Sequence, residues 1–213
     1  MIRHHPDESL LLAYAGGATD EATGLVVATH LAFCAVCRAD LAKMEAVGGS
    51  LLQELAPAPM SDTALDSAMG KLDTAAVFER PPRAHSRDGT PEVLRRYLGG
   101  DLAQLRWRRM GPQFAHLPLF RRGPVRAMLL RAAAGAEAGP HRHHGLEYTL
   151  VLKGGFQDVT GRYGPGDLQV MEGEMHHNPI ADPGEDCVNL AVTTGRLKFD
   201  SPILRLFAPL FGF

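Results

Sequence analysis

Two rhythms of apolar residues divide the chain. Through the first 79 positions they recur every three or four residues, the period of a helix with one buried face. Pro6 and the acids Asp7 and Glu8 precede a run from Leu10 to Ala15 that stops at Gly16-Gly17, the start and stop signals of a helix. Thr19 is the expected N-cap of a second helix through Val26 and Val27 towards His30. A third follows Cys34, carries Leu41, Met44, Leu51, Leu52 and Leu55, and ends before APAP, residues 56–59. Ser61 is the expected cap of a fourth, in which Leu65, Ala68, Met69, Leu72 and Ala76 form an apolar stripe at helical spacing. A stripe of this kind usually faces a core. Three short helices make a poor core, however, and a fourth beyond a Pro-rich break is as well placed to pack on something else.

The texture changes after RPPRAHSRDGTPE, residues 80–92, which is rich in Pro and Arg, has no apolar period and reads as a linker. Beyond it, Gly and Pro recur every eight to twelve residues between short runs such as VRAMLLRAA, LEYTLVLKGGF, DLQVM and CVNLAVTT. That rhythm predicts an antiparallel β-sandwich or barrel. The expected organisation is therefore α + β in two domains: a small bundle of about four helices over 1–80, a linker over 81–92 and a β-barrel over 93–213. The tail SPILRLFAPLFGF, broken by Pro202 and Pro209, is expected to pack on the barrel or on a second copy in a homodimer.

Composition and charge refine this picture. With 213 residues and 45% hydrophobic content, the chain is ordinary for a cored, soluble protein. No stretch approaches the ~20 apolar residues of a membrane span, and the polar N-terminus is unlike a signal peptide, so a cytoplasmic protein is expected. Residues 1–79 carry 4 Lys/Arg against 11 Asp/Glu, whereas residues 80–213 carry 18 against 13. The acidic first part is not expected to bind nucleic acid itself. Nine arginines between Arg95 and Arg131 lack a helix face and, Trp107 apart, interleaved aromatics, and read as a solvated barrel exterior. Cys187, within DCVNLAVTT, reads as core packing rather than redox chemistry. There is no phosphate loop, GxGxxG or Ser-His-Asp arrangement, and no catalytic residue is assigned.

Two segments carry chemistry. In HLAFCAVC, residues 30–37, His30, Cys34 and Cys37 stand at i, i+4 and i+7. In one continuous helix they fall within ~60° of one another, on one face. Imidazole and thiolate are preferred zinc ligands, and a structural site takes four; His4 and His5 are the nearby candidates for the fourth. Buried small cysteines beside a surface histidine are the competing explanation, but three ligand types on one face with a histidine pair upstream argue against it. The spacing H-x3-C-x2-C, with a histidine 25 residues before it, resembles the zinc-binding anti-sigma domain. That resemblance implies a zinc ligand set of His5, His30, Cys34 and Cys37, a metal that staples a bundle too small to be secure alone, and a fourth helix that forms part of the surface for a sigma factor.

The second segment is GAEAGPHRHHGLEYTLVLKG, residues 135–154. In a strand His141, His143 and Glu147 share a parity and a face, while His144 points away. Two imidazoles and a carboxylate suit zinc, iron, manganese or nickel. The spacing G-x5-H-x-H-x3-E-x6-G, from Gly135 to Gly154, resembles the first motif of the cupin barrel. The second cupin motif is met by Gly166 and Asp167, and counting on from them gives His177 as the implied fourth ligand. Glu172 and Glu174 stand where the motif has Pro and Gly, so His176 stays open as an alternative.

Together the two motifs resemble the ChrR-type anti-sigma factors. The resemblance implies a non-enzymatic regulator whose helical domain sequesters an extracytoplasmic-function sigma factor and whose cupin domain is needed for release under singlet oxygen or a related oxidant. The implied cofactors are zinc in the first site and zinc or another divalent transition metal in the second. The rival reading is a cupin metalloenzyme, of dioxygenase or isomerase type, with a helical oligomerisation module.

Overall fold

The structure, a computed structural model, describes residues 1–74, 86, 88–143, 145–173, 175–195 and 197–199. The chain enters α1 (Glu8–Ala15) with Asp7 as N-cap, its carboxylate accepting from the Leu10 N–H at 2.7 Å. Helix α2 (Glu21–Phe33) is capped by Asp20 rather than the expected Thr19. The Asp20 carboxylate accepts from the Ala22 and Thr23 N–H groups and from the Thr23 hydroxyl, which satisfies two open donors and places negative charge at the positive helix end. Helix α3 (Ala35–Gln53) departs from α2 at a bend of 120°. The fourth helix, α4 (Ala64–Thr74), starts three residues after Ser61, so Ser61 is not its cap; the Ala64 N–H instead closes a turn on the Ser61 carbonyl at 2.9 Å. Ala76 of the expected stripe lies outside the described residues, as do residues 75–85 and Arg87 of the helix end and linker and the tail from Asp200 onwards.

The four helices expected over 1–80 are present as α1 to α4, and a fifth helix, α5 (Glu92–Leu98), stands where the β unit was expected to begin. Pro91 and Glu92 open it, and Gly99 closes it in the left-handed conformation (φ 70°), donating its N–H to the Arg95 carbonyl. Those signals are present in the sequence, but they adjoin the Pro-rich linker and are masked by it.

The expected strand runs form strands. A six-stranded antiparallel sheet has the order β1 (Arg108–Met110), β2 (Phe114–Arg122), β3 (Val125–Ala132), β10 (Cys187–Thr193), β5 (Leu146–Lys153) and β8 (Leu168–Glu172). A three-stranded sheet joins β7 (Gly161–Tyr163), β6 (Phe156–Asp158) and β9 (Ile180–Ala181), and a two-stranded one joins β11 (Leu197–Phe199) to β4 (His141–His143). Helices and sheet share one core. Leu25, Val26 and Val27 of α2 fall in the same buried cluster as Leu129 of β3, Leu150 of β5 and Leu190 and Val192 of β10. Each such side chain contributes about 1.5–3 kcal/mol on burial, so α2 ties the helical unit to the sheet. The faces of α3 and α4 are different: Val47, Leu51, Leu52, Leu65, Met69 and Leu72 are each more than half exposed.

Candidate metal centres

The first centre forms at the α2–α3 corner, not on a single helical face as the i, i+4, i+7 spacing suggested. His30 ends α2 fully buried, Cys34 is at once the C-cap of α2 and the N-cap of α3, and Cys37 lies in the first turn of α3. The Cys34 Sγ accepts from the Cys37 N–H at 3.4 Å, which folds the two sulfurs onto one side of the bend. The N-terminal segment brings in the fourth group. His5 Nδ1 lies 3.2 Å from Cys37 Sγ and 3.4 Å from Cys34 Sγ, and His30 Nε2 lies 3.3 Å from Cys37 Sγ. One ligand atom from each of His5, His30, Cys34 and Cys37 falls within 4.8 Å of the others. His4 turns the other way and places its ring 4.2 Å from that of Tyr163.

The electrostatics suit a cation. Burial lowers His30 below the ordinary imidazole value, with His5 acting in the same direction against the Gly166 carbonyl and Asp167, so the ring stays neutral and able to ligate. Its Nδ1–H donates to the Gly166 carbonyl at 2.8 Å, which leaves Nε2 towards the sulfurs. Burial, the hydrogen bond with Cys34 and the charges of Cys34 and Asp40 push the Cys37 thiol up to about 12. A divalent cation between the sulfurs reverses that preference. Two sulfurs and two imidazoles are the donor set of a four-coordinate zinc site, and these residues fit it.

The second centre lies inside the β unit. His141 on β4 and His177 exchange backbone hydrogen bonds at 3.0 Å each way, which holds their rings 4.3 Å apart. Glu147 on β5 reaches them, with its Oε2 3.9 Å from His177 Nε2, and the three ligand atoms lie within 4.8 Å of one another. All three residues are buried. The His141 Nδ1–H donates to the Gly139 carbonyl at 2.9 Å and the His177 Nδ1–H to Asp158 Oδ2 at 3.0 Å, so both rings keep Nε2 for a metal. His177, not the exposed His176, joins the group. The backbone of His143 pairs with Leu197 on the same strand as His141; its side chain and His144 lie outside the described residues.

Asp158 was not foreseen. Although burial alone would raise it, hydrogen bonds from His177, Thr160 and Gln169 hold its carboxyl well below the usual carboxylate range. In the sequence it is hidden by its second role, since D-x-T closes a local turn in which Asp158 Oδ1 accepts from the Thr160 N–H at 2.7 Å.

Comparison with known proteins fits this geometry. The family described as the ChrR Cupin-like domain matches residues 97–198. The chain is 43% identical over 211 residues to the anti-sigma-E factor ChrR of Cereibacter sphaeroides, covering 99% of this chain and 98% of that one. The chain belongs to the ChrR family of anti-sigma factors. It also superposes, with a TM-score of 0.80 and 41% identity over 91% of its length, on the whole of a chain in the crystal structure of Rhodobacter sphaeroides SigE in complex with the anti-sigma ChrR.

Membership of the ChrR family makes the protein regulatory rather than enzymatic, and its fold is the antiparallel cupin type preceded by helices. Several of the arginines between Arg95 and Arg131 hold ion pairs: Arg95 with Asp101, Arg96 with Glu92 and Arg131 with Asp186 at 2.7 Å each, and Arg122 with Glu21 at 3.0 Å. Cys187 is buried in β10, and burial pushes its thiol up to about 12, as expected of a core cysteine. Among the described residues no single helix is long and apolar enough to cross a membrane.

Proposed function

We propose that this chain sequesters an extracytoplasmic-function sigma factor with its helical unit, stapled by zinc on His5, His30, Cys34 and Cys37. The observation that carries the reading is the apolar face of α3 and α4, which a monomer leaves in water. Exposed patches of this kind, rimmed by charge, mark protein-binding surfaces. The excess of 11 acids over 4 bases in residues 1–79 suits a basic partner and speeds its encounter. A sigma factor acts on RNA polymerase, so the site of action would be the cytoplasm. The relative solved with SigE supports the same class of partner.

The cupin unit would hold zinc or another divalent transition metal on His141, His143, Glu147 and His177 and would be the part that answers singlet oxygen or a related oxidant. When bound, the metal would supply Lewis-acid chemistry; the protein's share is to keep the donors buried and aimed, with Gly139 and Asp158 fixing the two rings through their Nδ1–H groups.

The test is co-elution of the purified full chain with its sigma factor in size exclusion, for the wild type and for a Cys34→Ser/Cys37→Ser variant. A stable complex formed by the wild type and lost with the zinc supports the reading. A zinc-free variant that still forms the complex would show that the staple does not serve binding.

A further inference from the structure

The cupin turn between β7 and β8 touches the first metal centre directly. Gly166 takes φ +88° and leaves no room for a side chain: a Cβ there would come within 2.7 Å of Ile2 and 2.9 Å of Phe33. That close approach lets its carbonyl reach His30 Nδ1 at 2.8 Å. Its neighbour Asp167 is buried, and its carboxylate accepts from the backbone N–H groups of Arg3 (2.6 Å) and His4 (2.9 Å) through Oδ1 and of Gly164 (2.9 Å) through Oδ2. The Leu168 N–H then donates to the His4 carbonyl at 3.1 Å, so residues 3 and 4 are held against the start of β8. His5, the next residue, is thereby delivered to the two sulfurs.

We infer that the Gly164–Leu168 turn of the cupin unit is the outer shell of the helical unit's metal site, with Gly166 orienting the His30 ring and Asp167 anchoring the strap that carries His5. The inference rests on the reading that the first site holds zinc. Two of the four ligands then depend on the β unit: the ring of His30, carried by α2, is oriented by it, and His5 is delivered by it. A ring whose Nδ1–H is fixed by a carbonyl presents Nε2 at a set angle, and a ligand on a chain terminus pays less ordering entropy if the preceding residues are already tied down. Asp167 is a positioning residue in this arrangement. The same strand connects onward: Gln169, two residues along β8, donates to Asp158 Oδ2 at 2.7 Å, the atom that accepts from His177. Movement of β8 at the second centre would accordingly be felt at the first.

The experiment uses the full chain and the near-isosteric Asp167→Asn. Zinc release to a chromophoric chelator is followed, with Cys34→Ser and His141→Ala assigning the phases to the two centres, and cobalt(II) is loaded to read the thiolate charge-transfer and ligand-field bands. Expected is first-centre release about 10- to 100-fold faster, with altered cobalt bands and an unchanged second-centre phase that reports an intact cupin fold. First-centre release within about twofold of wild type, with an unaltered cobalt spectrum, overturns the inference. If Asp167→Asn does not fold, Ile2→Ala loosens the same strap from outside the cupin: faster first-centre release supports the inference and unchanged release overturns it. Should Cys34→Ser leave the wild-type zinc content and release unaltered, the zinc reading itself fails, a result separate from either outcome above.

Discussion

Cys34 and Cys37 lie buried at the α2–α3 corner, beside the fully buried His30 and the exposed His5. Replacing either cysteine by serine removes a soft ligand from a four-donor set, and the expected outcome is loss of zinc at that centre, read by metal analysis of the purified protein. Asp158 plays the orienting part at the other centre. Asp158→Asn exchanges the carboxylate that accepts from the His177 Nδ1–H for an amide, and second-centre metal affinity is expected to fall about 10- to 100-fold, with first-centre zinc retained. At this scale much of the chemistry could be read from spacing: the shared parity of His141 and Glu147 and the trio His30, Cys34 and Cys37 identify groups that the fold does bring together. Asp158 could not, because Gln169 and His177 reach it from two other segments and its own sequence signals only a turn.

Among the elements, the division between a second helix towards His30 and a third after Cys34 was legible, but the 120° corner between them was not, because the sequence around Cys34 has neither Gly nor Pro to mark it. Contacts within the corner itself hold it instead. Cys34 caps α3 with its sulfur, and Arg38 Nη1 donates to the Leu31 carbonyl at 2.6 Å, which satisfies an acceptor left open at the end of α2. At the other end of α2, Asp20→Ala is expected to cost about 0.5–2 kcal/mol of stability, measured as a shift of the urea midpoint. Burial alone would raise the Asp20 carboxyl, but hydrogen bonds from Thr23 and Ala22 hold it below the ordinary value. A carboxyl lowered in the folded state stabilises above its unfolded pKa of about 4 and loses that contribution as pH falls through its folded value. The wild-type advantage over Asp20→Ala should therefore be full at neutral pH and shrink in acid. Helix α4 gives the sharpest test of the docking face. Leu65, Met69 and Leu72 are 70%, 55% and 68% exposed, so a triple change to Ser should leave the melting temperature nearly unaltered while weakening sigma-factor binding strongly.

On the scale of the molecule, charge asymmetry and the change of apolar rhythm pointed to a helical unit and a β unit. Neither revealed that Val26, Val27 and Leu190 share one core, because a pattern of buried positions does not name the surface that buries them. That shared core gives a cupin signal a physical route to the helices. A signal shifts a bound equilibrium only through differential interaction with the two states. His141→Ala and Glu147→Ala are therefore expected to hold the sigma factor normally and to respond poorly to singlet oxygen, in a reporter of sigma-dependent transcription. Direct oxidation of Cys34 and Cys37 is the competing route, since thiolates are the more oxidisable ligands. Both cysteines are shielded, at 3% and 2% exposure, which favours the cupin. Normal induction in a strain lacking all the cupin ligands would move the switch to the first centre. The central claim, that this chain withholds a sigma factor from RNA polymerase, is tested most directly by transcription in vitro with purified polymerase, sigma factor and the full zinc-loaded chain. The account predicts that sigma-dependent transcripts fall in proportion to added chain and vanish near equimolar ratio; undiminished transcription at a large excess of the chain would contradict it.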